Sequence, residues 1–239
     1  MEELAPNTIL IWQLSFHQPL HVVYACWQRL TPPEQIRATR FVRERDGRRY
    51  VLARGTLRLL LGRYLNQQPQ QVRLQYGRFG KPFVCSADRL SFNISHAHNI
   101  ALLAFTRLGD IGVDVERRRS FLKAGSITPQ LCSIEEQRYL HSLPATERAR
   151  VLAQIWVRKE AVVKATGRGL SQGLDSFSAL TSSTQSTMCW RDLPASATYA
   201  AAVAFPQRCT PHIKTRWLPL EEMSRPMTYS VQNRRVKKA

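Results

Sequence analysis

Asp114 and Glu116 stand two residues apart in Gly112-Val113-Asp114-Val115-Glu116. On a β-strand that spacing sends both carboxylates to one face, about 6.6 Å apart at roughly 3.3 Å per residue. Val113 and Val115 alternate with them, so one face is apolar and the other carries an acid pair that suits a shared cation. Further along, Trp156, Glu160 and Lys164 recur at four-residue steps and stack on one face of a helix. Two readings fit that stack. In one, Glu160 and Lys164 form a surface i,i+4 pair contributing about a few tenths of a kcal/mol, with Trp156 in the core. In the other, Glu160 is a third carboxylate facing Asp114 and Glu116, completing the all-oxygen set that Mg2+ uses with waters and phosphate oxygens.

Between these groups lie Gly80-Lys81-Pro82 and Phe92-Asn93-Ile94-Ser95-His96. A residue preceding proline is driven to extended backbone, so Lys81 is presented on a stiff, non-helical segment. Ser95 and His96, placed just past a strand, offer a hydroxyl and an imidazole to a phosphate. The chain has no glycine-rich phosphate loop and no dinucleotide fingerprint, which disfavours a nucleoside triphosphate.

The elements that must position these groups follow from periodicity. Thr8 to Leu14 reads as a strand by its β-branched and aromatic content. A helix pair follows, with Pro32 and Pro33 at a helix start, Glu34 to Phe41 continuing acid-first and arginine-late, and Asp46-Gly47 as its break. From Arg48, apolar residues at three- and four-residue intervals through Leu57, Leu60, Leu61 and Tyr64 predict an amphipathic helix. Strands are expected at Val72 to Tyr76, Leu90 to Ile94 and Ile100 to Thr106. The turn Leu108-Gly109-Asp110 then predicts a hairpin into Ile111 to Glu116. Helices near Ile134 to Ser142 and around Thr146 to Ala165, the latter stopped by Gly167 and Gly169, precede strands near Phe177 to Leu180, Tyr199 to Phe205 and His212 to Leu218. The expected division is residues 1–108, residues 109–222, and a basic tail over residues 223–239 that is expected to be mobile.

Bulk properties bound the function. The 239 residues are 44% hydrophobic, with a formal net charge of +18 and a pI near 10.6. Such a chain builds a real core and attracts anionic partners. Its longest apolar runs fall far short of the roughly 20 residues that span a bilayer, so no membrane association is expected. The amino terminus opens on Glu2 and Glu3 without a basic and apolar export signal, and the expected location is the cytoplasm. The five cysteines are scattered, with no C-x-x-C pair, which argues against a disulfide framework or a zinc site.

The ordered set Gly80-Lys81-Pro82, Phe92-Asn93-Ile94-Ser95-His96, Gly112-Val113-Asp114-Val115-Glu116 and Trp156-Val157-Arg158-Lys159-Glu160-Ala161, closed by Lys164 and Gly167, resembles the surfactin-type 4'-phosphopantetheinyl transferases. Ala53-Arg54-Gly55, Leu57-Arg58, Gly169-Leu170 and Leu174-Asp175-Ser176-Phe177 extend the likeness over roughly residues 8 to 218. The resemblance implies an α+β (α/β) pseudo-dimer of two similar halves, each with a small antiparallel sheet and packed helices. It implies transfer of the phosphopantetheine arm of coenzyme A to a serine of an acidic apo carrier protein, releasing 3',5'-ADP, by a monomeric enzyme that requires Mg2+. By the same resemblance Asp114, Glu116 and Glu160 hold the metal, and Lys164, Ser95 and His96 contact the pyrophosphate. Lys81 and Pro82 would lie along the adenine and its 3'-phosphate, and Arg37, with Arg40 beside it, matches a 3'-phosphate-binding position. Mg2+ and Lys164 would neutralise charge on the departing nucleotide. Glu160, directly or through a metal-bound water, competes with His96 for the role of general base. Lys159 belongs to the motif without an assigned role.

Two alternatives come from other classes. A nucleic-acid-binding protein would use the arginine-rich stretch from Arg37 to Arg63 and the basic tail, but leaves the three acids unexplained. A metal-dependent phosphohydrolase would use the acids but not the ordered signatures. No nucleic-acid partner is therefore expected.

Overall fold

In the computed structural model the residues described are 2–86, 89–121, 128–167, 173–181 and 187–224. In chain order the elements are β1 (Thr8–Ser15), α1 (Leu20–Gln28), α2 (Pro32–Thr39), α3 (Glu44–Leu65), β2 (Leu74–Tyr76), β3 (Pro82–Val84), β4 (Ser91–Ala97) and β5 (Ile100–Thr106). They continue as β6 (Gly112–Arg117), α4 (Thr128–Leu131), α5 (Ile134–Ser142), α6 (Ala145–Thr166), β7 (Met188–Asp192), β8 (Tyr199–Pro206), β9 (His212–Trp217) and α7 (Leu220–Ser224). This mixed α/β content with small, mainly antiparallel sheets matches the expected class. The chain forms two compact units, residues 1–17 with 73–218, and residues 18–72 with the segment from Pro219 onward.

In the first unit, one sheet has the order β4-β5-β1-β9 and a second the order β6-β8-β7, with β2 and β3 paired separately. β5 lies antiparallel to both β1 and β4, and β9 joins β1 in parallel. The two larger sheets meet through Ile9, Ile11 and Ala104 of the first and Val113, Val115, Val203 and Phe205 of the second, all buried. Burying each such branched or aromatic side chain stabilises the fold by about 1.5–3 kcal/mol, and β6 is thereby fixed with its valines inward. On the other face of the second sheet, Ala153, Val157, Ala161 and Ala165 of α6 pack against Ala200, Ala202 and Ala204 of β8. Small side chains on both sides let helix and sheet approach closely. At Gly112 the approach is so close that a Cβ would meet the Ala161 carbonyl oxygen at 2.0 Å.

In the second unit, α2 begins with Pro32 and Pro33 and a capping box between Thr31 and Glu34. Glu34 is buried and receives Arg54 and Arg58 of α3. Where α1 crosses α3, a Cβ on Gly55 would meet the Cys26 carbonyl oxygen at 2.4 Å.

Several expectations are corrected. The hairpin from β5 into β6 does not form, because both edges of β5 are taken by β4 and β1 while β6 pairs with β8 in the other sheet. The tight hairpin is instead β4–β5, whose turn carries His98 at φ 51°. Asp46 and Gly47 do not break a helix but lie in the first turns of α3, where an acid interacts favourably with the helix dipole. The residues near Phe177 to Leu180 form no strand, since the Leu174 and Phe177 carbonyls accept from Lys159 and the Ala179 N–H donates to Glu136. The strand of that region is β7. Ser95 and His96 lie inside β4, which runs on to Ala97. α6 ends at Gly167, as expected, and Gly167 adopts φ 65°, a left-handed cap. Of the expected tail over residues 223–239, Met223 and Ser224 belong to α7, while residues 225–239, like Gly169 and Leu170, lie outside the described residues. Among the described residues no helix is long and apolar enough to cross a membrane, and all five cysteines are free thiols.

Candidate active site

Asp114 sits in the middle of β6 and is 3% exposed. Because Val113 and Val115 occupy the inter-sheet core, the alternation of the strand sends Asp114 and Glu116 to the face covered by α6. Lys164 lies on that helix near its carboxyl end, and its ammonium donates to Asp114 Oδ1 at 2.6 Å and to Ser95 Oγ at 3.0 Å. Ser95, 6% exposed on β4, donates in turn to Asp114 Oδ1 at 2.7 Å. The surface i,i+4 reading is therefore not the one adopted: the partner of Lys164 is Asp114. Trp156 is half-buried, its ring 6.2 Å from that of Phe121.

Glu116 and Glu160 border this pair. Burial pushes the Glu116 carboxyl above its usual range and the Asp114 charge adds to the effect, against weaker opposition from the Arg117 amide and Lys164. Glu160 is raised likewise by burial and then by Asp114, with Glu116 also contributing and Lys164 opposing. Three acids thus share one field with the Lys164 ammonium. Among the described residues, the Oδ2 of Asp114 is buried without a hydrogen-bond partner. A buried carboxylate oxygen in that condition is costly, and oxygen donors in surplus over cationic partners are the chemistry of a hard divalent cation. The residues present fit such an ion, although among the described residues no three His, Cys, Asp or Glu side chains are already drawn together as a metal-ligating cluster.

A cavity of about 280 Å3 opens beside these groups, lined by Gly80, Lys81, Pro82, Asn93, Glu160 and Lys164 among others. Lys81 donates to the Ala165 carbonyl at 2.7 Å, near the carboxyl end of α6, where a cation is favoured. Burial lowers its pKa, against the pull of Asp110. Pro82 opens β3.

Of the residues singled out by sequence, the structure brings together Asp114, Ser95 and Lys164 directly, with Glu116 and Glu160 coupled to them electrostatically. Lys81 and Pro82 share the cavity with Glu160 and Lys164. His96 is not in that group. It is exposed and follows Ser95 on β4, so it points to the opposite face, where its ring lies 6.2 Å edge-on to Phe16. Arg37 and Arg40 belong to the other compact unit. Both are exposed at the end of α2, the Arg37 guanidinium 5.3 Å from the centre of the Tyr50 ring.

Two residues have partners that sequence reasoning did not assign. Asn93 Oδ1 accepts from the Val113 N–H at 2.9 Å; its place two residues before Ser95 was the available signal, since it shares the face of β4 that Ser95 occupies. Lys159 is fully buried, pairs with fully buried Glu136 at 2.7 Å and lies 4.7 Å from the centre of the Phe177 ring. A lysine beside Glu160 on a helix gives no such signal, because its partners come from α5 and a distant loop.

Comparison with known proteins identifies relatives of this chain. The family model described as the 4'-phosphopantetheinyl transferase superfamily matches residues 110–204. A second, described as 4'-phosphopantetheinyl transferase, N-terminal, matches residues 12–107. The 4'-phosphopantetheinyl transferase HetI of Nostoc sp. is 33% identical over 174 residues, covering 71% of this chain and 73% of the relative. A provisional 4'-phosphopantetheinyl transferase of Synechocystis sp., slr0495, is 35% identical over 170 residues, covering 69% and 67%. The 4'-phosphopantetheinyl transferase Sfp of Bacillus subtilis is 28% identical over 149 residues, covering 62% and 65%.

Proposed function

Because this chain belongs to the 4'-phosphopantetheinyl transferase superfamily, we propose that it moves the 4'-phosphopantetheine group of coenzyme A onto a serine of an apo acyl or peptidyl carrier protein, releasing 3',5'-ADP. The observation that carries this reading is the ion pair of Lys164 with buried Asp114, with Glu116 and Glu160 in the same electrostatic field, beside a cavity.

Asp114, Glu116 and Glu160 would hold a divalent cation, taken to be Mg2+, which when bound neutralises charge on a diphosphate. Lys164 would pull on the same diphosphate and stabilise the charge that develops on the departing nucleotide. Ser95 supplies a hydroxyl held in place by Asp114 and Lys164. The carrier serine oxygen forms a bond to the β-phosphorus as the bond from that phosphorus to the bridging oxygen of 3',5'-ADP breaks, and the serine proton must be accepted. Glu160 suits the role of acceptor, because burial and then the Asp114 charge raise its pKa, which makes its carboxylate a better base than that of an ordinary surface glutamate. His96 is the competing acceptor, and its place on the opposite face of β4 favours Glu160. Lys81, Pro82, Arg37 and Arg40 remain the proposed contacts of the nucleotide end.

The proposed halves, residues 1–108 and 109–222, are supported by two family models that meet between residues 107 and 110. A cytoplasmic monomer whose net charge of +18 steers an acidic carrier completes the reading. The test is to incubate the protein with coenzyme A, Mg2+ and an apo carrier protein and to weigh the carrier intact. A gain of one phosphopantetheine that Asp114→Ala and Glu160→Ala both abolish is expected. An unmodified carrier, or activity retained in either variant, would sink the assignment.

A further inference from the structure

Among the described residues β6 is an edge strand. One side pairs with β8, residue Asp114 lying opposite Ala202, and β7 completes that sheet beyond β8. The other side of β6 has no described strand beside it in its own sheet. Backbone N–H groups alternate sides along a strand, so the amides of Val113 and Val115, on either side of Asp114, fall on that unpaired edge. Both residues are fully buried, where water is not available and an unmatched N–H is disfavoured.

Two side chains of β4 occupy the place of the missing strand. Asn93 Oδ1 accepts from the Val113 N–H at 2.9 Å, and Ser95 Oγ lies 3.4 Å from the Val115 N–H. Asn93 and Ser95 are themselves two residues apart, on one face of β4, and are 5% and 6% exposed. The spacing of the donors on β6 therefore matches that of the acceptors on β4. Ser95 also donates to Asp114 and accepts from Lys164, which gives it a direct part in the site. Asn93 has a narrower role, since its carboxamide oxygen serves the β6 backbone.

We propose that Asn93 is a positioning residue for Asp114: by accepting from the Val113 amide it fixes the height and tilt of β6 against β4, and so the point at which the Asp114 carboxylate meets Ser95 and Lys164. The inference rests on the transferase reading for its kinetic test but not for its structural one. An acceptor that holds the residue next to a charge-handling carboxylate acts as an outer-shell partner does. Removing one such partner lowers activity by about 10- to 100-fold.

The experiment compares the full-length protein with Asn93→Ala and Asn93→Ser. The serine variant is informative because a hydroxyl two residues along the same face, that of Ser95, reaches its amide at 3.4 Å. Two quantities are read: kcat and KM separately for coenzyme A and for the carrier, and hydrogen exchange at the Val113 amide. Expected is a fall in kcat of about 10- to 100-fold for Asn93→Ala, an unchanged KM for the carrier, faster Val113 exchange, and partial recovery of kcat and protection in Asn93→Ser. Unchanged Val113 protection in Asn93→Ala overturns the proposal, as does a kcat within about twofold of the wild type, against the loss expected of an outer-shell partner, or a loss carried by the carrier KM alone. If Asn93→Ala does not fold, Asn93→Ser decides: a lowered kcat in a folded variant supports the proposal and a wild-type kcat overturns it. If the wild-type protein shows no transfer, it is the transferase reading that has failed, and Val113 exchange still decides the role of Asn93.

Discussion

Replacing Lys159 by methionine is expected to destabilise the fold severely without any contact to substrate. Lys159 is fully buried on α6 and its ammonium has several partners, the Glu136 carboxylate at 2.7 Å, the carbonyls of Leu174 and Phe177, and the Phe177 ring. Methionine fills similar volume, so little packing is lost. What remains is a fully buried Glu136 deprived of its counter-charge and two carbonyls without their donor. Removing one partner of a buried pair costs about 3–5 kcal/mol, a large share of the roughly 5–15 kcal/mol by which a domain is stable. For a chain of this size that corresponds to a melting point lower by about 6–20 °C. Glu136 also accepts the Ser133 and Ala179 amides, so Glu136→Gln keeps an acceptor while removing the charge. In Lys159→Met/Glu136→Gln the loss should fall short of the sum of the single losses by more than about 1 kcal/mol, as coupled sites do. Urea unfolding of the four proteins measures both quantities. A single-variant loss below about 1 kcal/mol, far under the cost of an orphaned buried charge, or strict additivity, would refute the reasoning.

Other outcomes follow from the same structure. Glu160→Gln should abolish transfer yet raise stability at neutral pH by about 0.5–2 kcal/mol, as relief of a strained active site commonly does. Glu160 has a raised pKa in the folded state, so it favours the fold below its ordinary pKa and loses that contribution as pH rises through the raised value; the gain of the variant in thermal melts must therefore shrink on acidification. Gly112→Ala should destabilise by at least about 1–3 kcal/mol, because its Cβ would sit 2.0 Å from the Ala161 carbonyl oxygen and 2.4 Å from the Ala165 amide nitrogen; a melting point unchanged from wild type would contradict that approach. Iodoacetamide at mildly alkaline pH should label exposed Cys85 and spare Cys132, which is buried and whose thiol burial and Glu136 push up to about 11. Peptide mass mapping reads this directly, and early labelling of Cys132 would be the contrary result.

How much of this was legible in the sequence depended on whether a residue finds its partners locally. Helix ends with local signals were read well: Pro32 and Pro33 with the early acid Glu34 at one start, Gly167 at one end, all within a turn of the element they bound. The face shared by Asp114 and Glu116 followed from strand alternation, with Val113 and Val115 as its inward mates. Pairing between strands was not legible, since the partner of β6 is β8, whose Tyr199 lies opposite Arg117 from far along the chain, and Leu108-Gly109-Asp110 looks like a hairpin turn from local composition alone. The same limit hid the Phe177 region, whose backbone groups are claimed by Lys159 and Glu136 rather than by a sheet. At the site, the stack of Glu160 and Lys164 was visible, but the preference of Lys164 for Asp114 over its own helix neighbour arises only when α6 is laid over β6. His96 shows the converse: a motif neighbour in sequence, it is turned away from Ser95 by the very alternation that placed the acids.

The most direct test of the central claim, that Asp114, Glu116 and Glu160 with Lys164 hold a diphosphate through a divalent cation, is calorimetric titration of the protein with coenzyme A in Mg2+ and in EDTA. Wild-type protein should bind more tightly in Mg2+, and Asp114→Asn, folded to the same melting point within a few degrees, should bind equally weakly in both. Equal affinity of the wild type in Mg2+ and EDTA, or a Mg2+ dependence that survives in Asp114→Asn, would contradict it.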